Sequence, residues 1–336
     1  MKVRLIAPVA ALCLSALLPL RSSAQSTGTL LVLSKHDHTL SIVDPATLKV
    51  VAKMPAGNDP HEVIASPDGT TAYISNYGFG AFNTLTQVDL VGHRTLGTID
   101  LGTLGGPHGL AFAGGKVWFT SEVAKAIGRY DPTTRKVDWI LGTGQNRIHM
   151  LYVSPDQQTL IAINVNSGTV SIIERQSMPS PGGTRMDWNE TVVRVGNGSE
   201  GFDVSPDHKQ AWVANAKDAT ISVIDLAAKK VVATLNTNTR GANRLKFMPD
   251  GKHVLVSSGP ELVILDAATR QVIKRIPIGH GSGGILVEPG GGRAFVACGP
   301  DNYVAVIDLS AMTVSGHIQA GGEPDGMAWA IRPGVR

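Results

Sequence analysis

Seven times along this chain of 336 residues an acidic residue closes a run of β-forming residues, at Asp44, Asp89, Asp131, Glu174, Asp225, Asp266 and Asp308. The runs read TLSIVD, LTQVD, IGRYD, VSIIE, ISVID, LVILD and VAVID, and successive acids lie 45, 42, 43, 51, 41 and 42 residues apart. A period of this length means one supersecondary unit copied along the chain, each copy burying its apolar faces against its neighbours. Leucine-rich repeats are shorter and helical repeats need a 3.6-residue pattern, so neither fits.

Each unit reads as four short strands: a segment such as HEVIASP, the turn PDG, a segment such as TAYISN, a loop, the acid-closed strand, and a last strand such as KVVATL. Short strands separated by Gly, Asn, Asp and Pro, with no sustained helical period, make the fold all-β. Four strands in about 40 to 45 residues form one propeller blade, and seven copies predict a seven-bladed β-propeller. The first copy has only three strands, TLLVLS, TLSIVDP and KVVAKMP. The final segment DGMAWAI supplies the missing innermost strand, a closure that leaves no open sheet edge.

Residues 1–24 read as a secretory signal, with Lys2 and Arg4, an apolar run from Leu5 to Leu20, and small residues before a cleavage site after Ala24. The run is shorter than the roughly 20 residues that span a bilayer. Leu12 before Cys13 also speaks against a lipidated cysteine. The expectation is a periplasmic or secreted protein, free of the membrane after cleavage, with residues 25–336 forming one propeller domain. Cleavage lowers the basic residues from 30 to 27 against 27 acidic ones, and a formally neutral surface argues against nucleic acid as a partner. Only Cys298 remains in that mature chain, so no internal disulfide staples it.

Tyr73-Ile74-Ser75-Asn76 and Trp212-Val213-Ala214-Asn215, each preceded by a Ser-Pro-Asp turn at Ser66 to Asp68 and Ser205 to Asp207, resemble the repeat of the Tyr-Val-Thr-Asn (YVTN) propeller family. Degenerate copies occur at Trp118 to Ser121, Ile161 to Asn164, Val254 to Ser257 and Phe295 to Cys298. The family is similar to the propeller chains of quinoprotein amine dehydrogenases and to bacterial lactonase propellers. It implies the fold far more than an activity.

The resemblance also implies that the segment before each Ser-Pro-Asp turn is the innermost strand, its first residue at the mouth of the central channel. That column holds His61, His108, His149, Glu200, Asn243, Gly283 and Asp325. Two readings stand. Polar residues there could simply satisfy strand ends and channel water. Alternatively, histidines and carboxylates converging on one point could hold a ligand or a divalent metal such as Zn or Cu, with His61, His108 and His149 as ligands. The insertion NYGFGAFN adds Tyr77, Phe79 and Phe82 on the same face, as a contact surface or as aromatics folded back on the propeller. Lys35, His36, Asp37 and His38 form a polar loop in the first blade.

The recurrent acids and the Ser-Pro-Asp-Gly stretches read as turn chemistry rather than catalytic sets. Residues 177–189, SMPSPGGTRMDWN, read as an extended loop on the opposite face with Trp188 as a docking point, and Cys298 as a semi-buried, inert thiol. No nucleophile elbow, phosphate loop or dinucleotide fingerprint occurs in a suitable context. The leading function is binding of a small ligand or partner protein at the channel mouth, with no cofactor identified. The alternatives are a metal-dependent, lactonase-like hydrolase or lyase, and an accessory subunit-like partner of a periplasmic redox enzyme.

Overall fold

The computed structural model describes residues 28–331. They form seven four-stranded antiparallel sheets, in the order innermost to outermost strand within each blade of a seven-bladed β-propeller. Blade 1 runs Pro324–Ile331, Gly28–Ser34, Thr39–Asp44 and Lys49–Pro55. Blades 2 to 7 are residues 60–100, 107–142, 148–194, 199–236, 242–277 and 285–318. The closing strand pairs as expected, with Leu30 opposite Trp329 and Val32 opposite Met327.

Residue patterns follow from place in the blade. The second strand is covered on both faces by neighbouring blades, so TLIAIN and QAWVAN are buried at every position but the first. The outermost strand has one face to solvent, and KVVATLN alternates exposed and half-buried residues accordingly. Trp212 is fully buried in a cluster with Val254, Val256 and Val263 that joins blades 5 and 6. Its indole Nε1 donates to Gln210 Oε1 at 2.9 Å, satisfying the polar end of a side chain that otherwise contributes apolar area.

The recurrent acids cap turns, except Glu174, which lies within the strand Thr169–Ser180 and pairs with Lys229 of the next blade. Asp44 accepts from Ala46 N at 2.9 Å and Thr47 Oγ1 at 2.8 Å, and Asp308 from Ser310 N and Ala311 N, both at 2.9 Å. Those bonds to the ionised form hold both carboxyls below their usual range.

Two expectations need correction. Residues 177–189 are not an extended loop: Thr169–Ser180 and Gly183–Arg194 form a hairpin of two twelve-residue strands paired from Thr169–Arg194 out to Ser180–Gly183. Trp188 is no free docking point, because it packs on Trp139 with ring centroids 5.5 Å apart, under the Arg175 guanidinium. Cys298 is fully buried, with burial pushing its thiol up to about 11, which deepens the expected inertness. The segment 1–24 lies outside the described residues.

Candidate functional site

The innermost strands all begin on one face, and each brings its column residue to the channel there. His61, His108, His149, Glu200, Asn243 and Asp325 are the second residues of Pro60–Ala65, Pro107–Ala113, Ile148–Val153, Ser199–Val204, Ala242–Phe247 and Pro324–Ile331. Gly283 precedes the short strand Ile285–Val287. Blade neighbours must approach closely for this to happen. A Cβ on Gly109 would lie 2.4 Å from His149 O, and one on Gly326 would lie 2.3 Å from His61 O, so only glycine fits there.

The three histidines do converge. Ring centroids of His61 and His108 are 4.4 Å apart, and those of His108 and His149 are 3.6 Å apart. They are not open rim residues, however. His108 and His149 are 0% and 1% exposed, and Tyr77, from the loop after the second strand of blade 2, packs its ring against His61 and His108. Burial pushes all three imidazoles below their usual pKa, His108 and His149 far below, so they are neutral at pH 7.

Neither ring nitrogen of His108 has a hydrogen-bond partner among the protein atoms. His149 Nδ1 lies 2.7 Å from Glu122 Oε1, and His149 Nε2 lies 3.4 Å from Glu200 Oε1. A neutral imidazole carries one proton, so it can donate to only one of these carboxylates. The shorter contact puts the proton on Nδ1 and leaves the Nε2 lone pair facing a second acceptor. One ligand atom each from His108, Glu122 and His149 fall within 4.8 Å of one another. His61 adjoins this trio, its Nδ1 3.6 Å from Asp325 Oδ2.

Several partners escaped the sequence. Glu122 sits in the loop just after Lys116–Ser121, a position outside the column, and its carboxyl is pushed up by burial. Arg147 contacts both carboxylates, Nε 3.5 Å from Glu122 Oε1 and an Nη 3.2 Å from Glu200 Oε1. Lys35, already named in the polar loop of the first blade, lies 3.5 Å from Asp325 and 3.9 Å from Asp59. One residue beyond the column, Arg244 of blade 6 pairs with Glu62 of blade 2, an ion pair across the channel. Arg244 also donates to Asn243 Oδ1 at 2.9 Å, which places Asn243 as the holder of that arginine.

Tyr77 is buried, not an exposed contact: its ring lies 5.0 Å from both His61 and His108, and its hydroxyl donates to Glu122 Oε2 at 2.6 Å. Phe79 stays 83% exposed. It lines a cavity of about 820 Å³ together with His61, His149, Arg147, Glu200 and Asp325. His36 and Asp37 pair with each other on the surface, away from this cavity.

No protein-family model matches the chain, and no curated protein matches it in sequence. Solved structures do resemble it. A functionally unknown protein from Desulfotomaculum acetoxidans aligns with TM-score 0.74 at 14% identity, over 91% of this chain and 100% of its own. A candidate 6-phosphogluconolactonase from Bacteroides uniformis aligns with TM-score 0.71 at 15% identity, over 91% and 100%. Kuenenia stuttgartiensis hydrazine synthase aligns with TM-score 0.68 at 16% identity, over 80% of this chain and 88% of that one. Identities this low establish a shared propeller fold and leave the chemistry to the site itself.

Proposed function

We propose that this propeller is an exported binding module whose mouth holds a divalent transition metal on His108, His149 and Glu122, with His61 as the adjoining fourth donor. The observation that carries this reading is the buried His108 imidazole, whose two nitrogens find no partner in the protein. A buried polar group left unsatisfied costs about 1–3 kcal/mol. A cation held by His108, His149 Nδ1 and Glu122 uses an orphaned His108 lone pair and replaces the Nδ1 proton of His149, which then sits on Nε2 and is donated to Glu200, ending the conflict there. Nitrogen donors with one carboxylate suit Zn or Cu, and neutral imidazoles are the ligating form. Five carboxylates, Asp59, Glu62, Glu122, Glu200 and Asp325, face three cationic side chains, Lys35, Arg147 and Arg244, a balance that favours added positive charge.

Elemental analysis of the purified protein, followed by calorimetric titration of zinc into the chelator-treated form, tests this. One equivalent taken up at pH 7.5 by the parent and lost in His108→Leu supports it. No uptake overturns it.

A second reading is a metal-dependent, lactonase-like hydrolase. It is favoured by Glu200, which lines the cavity beside His149 and would accept a proton from a water activated on the metal. The Bacteroides neighbour lends it only a shared fold. Lactone hydrolysis by the zinc-loaded protein, abolished in Glu200→Gln, would establish this reading. Service beside a periplasmic redox enzyme is a third possibility, tested by co-purification with a haem or quinone protein.

A further inference from the structure

Two residues before six of the seven column positions, all but Gly283, the chain turns through a left-handed backbone conformation. Blades 3, 5 and 6 place glycine there, Gly106, Gly198 and Gly241, at φ of 63°, 70° and 67°. Blades 2, 4 and 1 place Asp59, Arg147 and Glu323 instead, at φ of 45°, 53° and 48°. A side chain is strained in this conformation where glycine is not. Most blades also have a left-handed side chain four residues after the acid, as at Leu48, His93 and Met312, in tight turns on the other face. The three at the column differ from those, because all of them line the 820 Å³ cavity. Phe79, at φ 51°, is a fourth strained side chain on the same wall.

Arg147 is the most exposed of the three cationic side chains at the cavity, 30% against 22% for Lys35 and 6% for Arg244. Arg244 is buried and committed to Glu62 and Asn243, and Lys35 lies between Asp59 and Asp325. The Arg147 guanidinium lies 3.2 Å from Glu200, which adjoins the metal ligands, and 3.5 Å from Glu122, itself one of them. A guanidinium offers two parallel donors matched to a carboxylate. Across the wall, Phe79 stands beside Tyr77, ring centroids 5.5 Å apart, near the exposed Val123. The cavity is larger than a metal ion needs and falls in the range of small-molecule sites.

We propose that the cavity binds a small organic carboxylate with a ring-sized apolar body, its carboxylate held by Arg147 beside the metal and its body against Phe79. The carboxylate's second contact, to the metal, and the two positive charges that offset the surplus of acidic side chains around the cavity rest on the reading above; its contact with Arg147 and the apolar contact with Phe79 do not.

The probes are benzoate, acetate and benzyl alcohol, titrated by calorimetry into the zinc-loaded and chelator-treated protein. Benzoate is expected to bind the loaded protein at least about tenfold more tightly than either fragment, since each fragment lacks one of the two contacts. Arg147→Gly introduces the residue that blades 3, 5 and 6 already use, so the backbone accepts it, and it should weaken benzoate and acetate alike by about tenfold or more. Phe79→Ala should weaken benzoate about tenfold and acetate less than about twofold. Benzoate binding no tighter than acetate, or indifferent to Arg147→Gly, overturns the proposal. If zinc fails to bind but benzoate still binds through Arg147 and Phe79, the metal reading falls and this inference stands. If zinc binds and benzoate does not, the inference falls alone.

Discussion

The repeat builds two rings of polar residues at opposite ends of the blades, and they behave in opposite ways. The acids at the strand ends are nearly invariant in type, and all but Glu174, which pairs with Lys229 of the next blade, find their partners within their own turn or on a neighbouring strand, as Asp89 does with the amides of Val91 and Gly92. Mouth residues change from blade to blade, from His61 through Glu200 to Gly283, are buried at His108 and His149 and half-buried elsewhere, and leave nitrogens of all three histidines without hydrogen bonds. A residue copied seven times with its partners beside it is scaffolding. Functional content enters where the copies diverge and local satisfaction fails.

The largest effect should come from removing one column residue together with its strand. Deleting residues 325–336 strips the innermost strand from blade 1, unpairs Gly28–Ser34 and removes the contacts of Trp329 with Phe295, whose rings stack 6.2 Å apart. Loss of the cooperative melt and aggregation are expected, because the whole stability of about 5–15 kcal/mol depends on ring closure. A soluble truncation melting like the parent would show that the two termini do not close the ring.

Acid should separate the rings next. Burial lowers the pKa of His61, His108 and His149 in the folded chain, so below the ordinary value near 6.5 the unfolded chain binds more protons. Stability then falls as pH drops through 6.5 toward the folded values, by up to about 1.4 kcal/mol per histidine per pH unit. Charges facing these rings modulate the fall. Asp325, Glu62 and Glu200 favour protonation, and Lys35, Arg147 and Arg244 oppose it. Glu122 acts in the contrary direction, since its raised carboxyl takes up a proton in the folded state first. Urea midpoints measured without metal between pH 7.5 and 5.5 should decline, and less steeply in His108→Leu; a flat profile would contradict the buried neutral imidazoles.

His108→Leu should also raise the stability of the metal-free protein by about 1–3 kcal/mol, because an apolar side chain of similar size removes two unsatisfied nitrogens. A lower urea midpoint than the parent at pH 7.5 would mean that His108 is satisfied after all. The smallest effect belongs to the other ring. Asp308→Ala should lower the melting temperature by no more than about 4 °C and leave zinc uptake unchanged. An equal loss of zinc in this variant would erase the distinction between the rings.

Much of this was legible in the chain. The 42-residue recurrence locates the blades, and it also aligns His61, His108 and His149, since a repeat fixes which residues share a height even 40 positions apart. Repetition reveals nothing about residues outside it. Glu122 comes from a loop whose neighbours in other blades carry no counterpart, and Arg147 supplies a side chain where half the copies have glycine. The Glu62–Arg244 pair joins blades 2 and 6, a contact across the channel that only closure creates. The hairpin of residues 169–194 was misread because Pro179, Pro181 and Gly182 resemble loop composition, although they lie in or beside a tight turn between two long strands.

The most direct test of the central claim is a crystal structure of the protein grown with one equivalent of zinc, with anomalous data collected at the zinc edge. The account predicts one strong peak among His108, His149 and Glu122, about 2.0–2.1 Å from the imidazole nitrogens and about 2.0–2.2 Å from the carboxylate oxygen. It is contradicted by an empty mouth, or by peaks only at the surface pairs His280–Asp301 and His36–Asp37, whose imidazole–carboxylate contacts of 2.6 and 2.9 Å offer zinc an alternative with no relation to the channel.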